Sequence, residues 1–366
     1  YQDDPVIDMV RGKLNSGSFS LRVALEALGV MVRDQSWQTV PNAISYAIRE
    51  WKHATGRWED NGASQIIDHA KDTVRDASDP FFLFANFVET HDPYRPPQDF
   101  LDEYLPDSVS IKEANEVAES NFVDLSLGQD SVSDRERDIM LALYDAEIRY
   151  IDSMIQEFAD FLKQQGEFEN TVFIVCSDHG DLFGEWGIWG HQGTIHRDLC
   201  RVPLIISTPW GDEQKIDSPV ELRNLAEYLP KIGAGEQTTL SPRDSAIVEY
   251  HGWDCQISND QWTKFDDEEQ DRWGIYSASY FDADWQFLAD ANGNRRLYDL
   301  SEGVPDDLGN DVENQEKAAQ LEEQLVSQVG TPEDNHTEYR ENIASGDRLS
   351  EMSDEVKENL KDLGYA

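Results

Sequence analysis

Three short, nearly unbroken apolar runs stand out from otherwise polar sequence: Phe81 to Val88, Val172 to Cys176, and "VPLIIS" from Val202 to Ser207. Runs of this length with no alternation predict strands buried on both faces. Between the first two, Tyr144, Ile148, Ile151, Ile155, Phe158 and Leu162 recur at alternating steps of four and three. That spacing predicts a helix with one apolar stripe, and Gly166 is placed to end it. Strand, helix, strand, loop, strand is the alternation of an α/β fold, in which ligands collect at the carboxyl ends of strands. Up to about residue 75 the amphipathic stretches "SLRVALEALGV" and "VPNAISYAIREW" predict helices, with Trp37, Trp51 and Trp58 as anchors. Residues 101–135 are acidic, polar and loop-rich.

Beyond about residue 235 the period changes. "SAIVEYHGW" predicts one short strand, and "GIYSASYFDADWQFLADANGNRRLYDL" alternates and turns at Asn292-Gly293, a hairpin signal. The tail "SDEVKENLKDLGYA" predicts a short helix capped by Ser353 and stopped by Gly364. The expected organisation is an α/β domain over residues 1–235 and a small antiparallel α+β subdomain over residues 236–366. No repeat is present, and no stretch is long and apolar enough to span a bilayer.

Charge changes the picture of the surface. The chain carries 74 Asp and Glu against 30 Lys and Arg, a net charge of −44, which repels nucleic acid and anionic membrane. An acidic disordered chain would be poor in aromatics, whereas this one has 10 Trp, 13 Tyr and 15 Phe dispersed among the acids. The reading is a folded protein suited to molar salt, with the cytoplasm of a salt-accumulating, haloarchaeal-like organism as the favoured location. Secretion stays open, because residue 1 is Tyr and not Met. Cys176, Cys200 and Cys255 form no CxxC pair and no zinc-like spacing, which argues against a disulfide framework. Cys176 reads as a small core residue.

The chemistry gathers at two strand ends. His91 follows the first apolar run, and Asp178-His179-Gly180 follows the second. Asp and His at a strand end suit a divalent metal. Gly180 permits a sharp turn, and Gly184, Gly187, Gly190 and Gly193 allow the return loop to approach an anion closely. His191 and His91 could each give that anion an N–H. The other histidines are plainer: His196 reads as packing or surface, His251 as closing a strand, and His53, His69 and His336 as solvated. Asn335-His336-Thr337 fits a glycosylation sequon.

Several of these segments, in this order, resemble the sulfatases of the alkaline phosphatase superfamily. "TVFIVCSDHGDLFGEWGIWGHQGTIHRDLCRVPLII" is similar to the family's metal-binding strand and loop, and "PFFLFANFVETHDPYRPP" to the strand ending in a substrate-contacting His. "RLYDL" with "DDLGN", and the terminal "LKDLGYA", resemble its closing sheet and C-terminus. The resemblance implies an alkaline phosphatase/sulfatase-like mixed sheet flanked by helices. It implies Asp178 and His179 as metal ligands and His91 as a substrate contact or general acid. His191 stands where many members have a Lys that holds a sulfate oxygen, so it is read as catalytic and substrate-binding. Trp186 replaces a His common in relatives and is assigned no role.

The implied cofactor is a divalent ion, with Ca²⁺ or Mg²⁺ suited to carboxylates and Mn²⁺ or Zn²⁺ admitted by His179. The implied substrate is a small-molecule or carbohydrate sulfate ester. The family's opening strand with paired Asp, and its Cys-x-Pro/Ala-x-Arg motif whose Cys becomes formylglycine, have no match here. The expectation is a sulfatase lacking its N-terminal nucleophile segment. A phosphate or phosphonate ester hydrolase of the same superfamily, and a non-catalytic binding protein, are the alternatives. Oligomeric state is left open.

Overall fold

The computed structural model describes residues 60, 62–78, 80–191, 193–211, 215–252, 273–301 and 314–345. The helices expected before residue 60, with Trp37, Trp51, Trp58 and His53, lie outside the described residues, as do Cys255 and the C-terminal helix. The chain falls into two compact units, Tyr1–Ser120 with Val132–Gln164, and Asn121–Ser131 with Gln165–Ala366.

The first unit is helical where described. α1 spans Ala63–Asp76, α2 Gln98–Tyr104 and α3 Ile111–Ala118. After α4 (Phe122–Ser126, in the second unit) comes the long α5, Asp134–Gln165. Its predicted stop is borne out by Gly166, whose φ of 77° is the left-handed value a helix C-terminus favours. Its buried face differs from the predicted stripe. Leu143, Ala146, Glu147 and Tyr150 turn inward while Ile148 is exposed, so in the N-terminal half the inward line runs to one side of the predicted one. Only Phe158 and Leu162 of the stripe are buried.

Glu147 is fully buried, and its Oε1 accepts from Arg95 N at 2.8 Å. Burial pushes its carboxyl up to about 8, helped by the charges of Glu89 and Asp60. Glu89, also buried, accepts from Ala63 N at 2.5 Å and so satisfies a first-turn donor of α1.

The Phe81–Val88 run corrects an expectation. It is irregular, not a strand, and Phe82 and Phe84 are 75% and 76% exposed. A doubly buried strand needs a ladder partner and cover on both faces. Among the described residues no strand pairs with it.

Among the described residues, all the strands lie in the second unit. β1 (Phe173–Cys176) pairs antiparallel with β4 (Leu204–Ser207), Cys176 opposite Leu204. This two-stranded ladder leaves Cys176 exposed rather than in a core, because pairing with β4 satisfies a backbone edge without covering the face its side chain projects from. Between them lie β2 (Leu182–Phe183), β3 (Trp189–Gly190) and the short helix α6 (Arg197–Cys200). α7 spans Leu225–Gly233. The predicted antiparallel sheet is present as β5 (Ala246–Tyr250), β6 (Ser277–Phe281), β7 (Trp285–Asp290) and β8 (Arg295–Asp299), in that spatial order. The β7–β8 turn falls where Asn292-Gly293 predicts it, with Gly293 at φ 83°.

This sheet is covered on both faces. On one, Ala318, Leu321 and Leu325 of α8 (Gln315–Val329) recur at steps of three and four and pack on Tyr276, Ala278, Phe287 and Ala289. On the other, Phe281, Leu288 and Tyr298 pack with Leu182, Trp186, Ile188, Ile195 and Leu199. The loop after β1 therefore rests on the C-terminal sheet. α9 (Pro332–Ser345) is tied to β6 by His336, whose Nδ1 accepts from Tyr276 N at 3.3 Å, so His336 is not merely solvated. Asn335 is engaged as well: its Nδ2 donates to Val329 O at 2.7 Å and to Tyr276 Oη at 3.0 Å. The sequon's acceptor nitrogen is thus used in packing. Among the described residues no helix is long and apolar enough to cross a membrane.

Candidate metal centre

At the end of β1 the chain turns through Ser177-Asp178-His179-Gly180. Ser177 Oγ donates to His179 O at 2.6 Å, closing the turn. Gly180 N then donates to Leu199 O at 2.9 Å. A Cβ on Gly180 would sit 2.2 Å from Asp198 O, so only glycine lets the strand end lie against α6. Gly193, at φ 82°, lies so close over the Trp273 ring that a side chain there would overlap it. Gln286 Nε2 donates to Ile195 O at 2.9 Å.

Trp186 and His196 form the underside of the loop. Trp186 is buried at a φ of 54°, with its ring edge-on to His196 at 4.5 Å and near Tyr298 at 5.3 Å. His196 is buried and its Nδ1 accepts from Asp198 N at 3.1 Å, capping α6. His196 is thus packed, one of the two places its sequence context suggested, and Trp186, assigned no role from the sequence, is packed beside it.

His179 is brought against His191 in this unit, and Asp178 borders His179. Asp178 is exposed, and its Oδ1 accepts from His179 N at 3.1 Å and lies 3.9 Å from His179 Nε2. His179 Nδ1 donates to Gly180 O at 2.9 Å. A carbonyl only accepts, so the proton sits on Nδ1 and the lone pair of the neutral ring on Nε2, facing Asp178. A carboxylate oxygen beside an imidazole lone pair is a donor set that fits a divalent metal. His191 stacks on His179, ring centroids 4.2 Å apart and planes at 25°. Its Nδ1 is 2.8 Å from Oδ1 of Asp181, whose side chain is 3% exposed. One ligand atom from each of His179, Asp181 and His191 lies within 4.8 Å of the others.

Asp181 is the residue that motif reading missed. It is the one acidic residue between Gly180 and β2, and its proximity to His191 follows from the β2–β3 hairpin, in which Leu182 opposes Gly190. Adjacent positions, 181 and 191, therefore come opposite as well.

His91 belongs to the first unit. It lies in the turn after the Phe81–Val88 run, exposed, with Nδ1 donating to Asp92 O at 2.7 Å. His251 follows β5 and packs edge-on against Tyr276 at 5.3 Å. Cys200 is held among apolar neighbours, and burial pushes its thiol up to about 12, far from a nucleophile's range.

The family model "Sulfatase" matches residues 34–229, more than half of the chain. The chain belongs to the sulfatase family. Over 200 residues it is 33% identical to the arylsulfatase of Clostridium perfringens (strain 13 / Type A), covering 51% of this chain and 41% of that protein. This sulfatase-family chain also superposes on the phosphonate monoester hydrolase of Silicibacter pomeroyi with a TM-score of 0.52 at 17% identity, covering 72% of this chain and 59% of that one. The yidJ protein of Bacteroides fragilis gives a TM-score of 0.53 at 17% identity, with coverages of 76% and 60%. At those identities the two structures establish the fold: α/β, of the sulfatase and phosphonate hydrolase kind. The chain spans about two fifths of the length of the arylsulfatase it matches.

Proposed function

We propose that this protein is the metal-holding part of a sulfuric ester hydrolase acting on small-molecule or carbohydrate sulfate esters. The observation that carries the reading is the turn after β1, where Asp178 Oδ1 and the His179 lone pair meet at 3.9 Å inside the family match. A bound divalent ion there would neutralise charge on a sulfuryl oxygen and on the attacking group. The residues' own contributions are to orient and to dock. Gly180 O fixes the His179 tautomer, and the glycine-rich return loop permits close approach by the ester's anionic end.

His91 is proposed as the group that contacts the sulfuryl oxygens or protonates the leaving alkoxide, and the attacking group as lying outside residues 1–366. The acidic surface supports a salt-accumulating cytoplasm as the location. In polypeptide carrying that nucleophile, Asp178→Ala and His179→Ala should each lower 4-nitrophenyl sulfate turnover by at least ~100-fold, since the ion contributes several kcal/mol to the transition state. Wild-type turnover in either variant overturns the assignment.

A second reading, phosphate or phosphonate ester hydrolysis, is favoured by His179, since Asp-His at this place resembles the phosphorus-cleaving relatives. Parallel rates on 4-nitrophenyl phosphate and a phenylphosphonate ester decide between them.

A further inference from the structure

His91 is exposed, yet the chain on either side of it is anchored inside the first unit. Two residues before it, the buried Glu89 reaches the start of α1: Oε1 accepts from Ala63 N at 2.5 Å, and Oε2 accepts from Val88 N at 3.0 Å. His91 N donates back to Val88 O at 3.0 Å, so the same carboxyl braces the turn that carries the ring. Beyond it, Tyr94 is buried against Tyr144 of α5, ring centroids 5.1 Å apart, and Arg95 N donates to Glu147 Oε1 at 2.8 Å. Residues 90–95 form no helix or strand, so these contacts, and no ladder, set the path of their backbone.

The second anchor is conditional. Glu147 Oε2 is buried with no hydrogen-bond partner among the described residues. The groups that face Glu147 are Glu89 from the turn, Asp60 from before α1, and Tyr150 one turn further along its own helix, while Arg95 directs its guanidinium to Glu119. A protonated carboxyl is stable in such surroundings. An ionised one is repelled by its acidic neighbours and gains by turning towards water, which takes the acceptor away from Arg95 N.

We propose that Glu89 and Glu147 are positioning residues for His91: two buried carboxyls grip the chain on either side of the ring, and the grip of Glu147 lasts only while it keeps its proton. The inference rests on the reading of His91 as the group that meets the ester, and adds what aims it. Both glutamates act through His91.

The test follows the His91 ring in the 366-residue chain by imidazole proton–carbon NMR, its signal assigned by its loss in His91→Gln. As pH rises, that signal should show a step at about 8, where burial has pushed the Glu147 carboxyl. Glu147→Gln keeps an acceptor for Arg95 N and cannot ionise, so it should leave the signal in place below the step and abolish the step. Glu147→Leu has no acceptor, and the single amide oxygen of Glu89→Gln can serve only one of the two N–H groups by its ordinary geometry. Each should displace the signal at every pH. Circular dichroism selects the variants that fold. In polypeptide carrying the nucleophile, Glu147→Leu should lower kcat for 4-nitrophenyl sulfate roughly 10–100-fold with KM nearly unchanged, and Glu147→Gln should restore it and extend activity to higher pH.

A signal unmoved in the folded Glu147→Leu and Glu89→Gln chains, or a step that persists in Glu147→Gln, overturns the proposal. If the signal moves as expected while His91→Ala turns over the ester as wild type does, the positioning stands and the catalytic reading of His91 falls instead.

Discussion

Glu147 shows what a single buried carboxyl does to the pH dependence of this protein. Its carboxyl is pushed from 4.5 up to about 8 by burial. Below pH 4.5 it is protonated in folded and unfolded chains alike. Between 4.5 and about 8 the unfolded chain releases the proton while the folded one keeps it, so this residue's effect is a stability that falls as pH rises through that window. The loss levels off above 8 at something on the order of 5 kcal/mol. Glu147→Gln keeps an acceptor for Arg95 N and removes the ionisation. Its melting temperature should exceed wild type at pH 8, and the gap should close towards pH 5. A gap independent of pH would mean that packing, not ionisation, is what the substitution changes.

Gly180 is the second informative residue. With Asp198 O 2.2 Å from the position of its absent Cβ, Gly180→Ala must move either the β1 turn or α6, so it should lose metal affinity together with stability. Retention of wild-type Co²⁺ binding would contradict that. The Asp178-His179-Gly180 turn was legible in the sequence because chemistry and backbone demands coincide within three residues. Glu147 was not, since it lies beside Ile148 of the expected apolar stripe and only packing decides which side of the helix turns inward.

At the scale of elements, legibility follows the range of the contacts. The β7–β8 hairpin and the Gly166 stop depend on residues close in sequence, and both stand where the pattern puts them. The Phe81–Val88 run was misread because the fate of an apolar run is settled by partners distant in the chain. The Asp181–His191 pair lay between these cases. Ten residues separate the two, and the register that joins them is a two-residue ladder too short to leave a periodic signal.

The C-terminal sheet has a role its sequence did not advertise: one face packs on α8 and the other on the loop after β1. Leu325, fully buried on α8, tests this. Leu325→Ala should destabilise the protein by about 2–5 kcal/mol. At temperatures below its melting point Co²⁺ affinity should be unchanged, because Leu325 packs on the face away from the loop. Loss of Co²⁺ affinity while the variant is still folded would show that the two faces are coupled.

Over the whole molecule, charge decides how stability responds to salt. Even if every Lys and Arg were paired, 44 carboxylates would remain without a cation. Many of the pairs that do form, such as Lys112 with Glu116 and Lys163 with Asp160, are exposed, and such pairs are worth little. Salt therefore weakens small attractions and a larger repulsion together, and the repulsion governs the sign. Raising ionic strength from about 0.01 M to about 1 M shortens the screening length from about 30 Å to about 3 Å, less than the span of most like-charge pairs. The melting temperature followed by circular dichroism should rise steeply with KCl. A parallel series in potassium sulfate distinguishes screening, which follows ionic strength, from the exclusion of sulfate from protein surface, which would set that series apart at matched ionic strength. Equal melting temperatures at 0.01 M and 1 M KCl would mean that the acidic surface is tolerated without screening, and that its suitability for molar salt is not what the carboxylates confer.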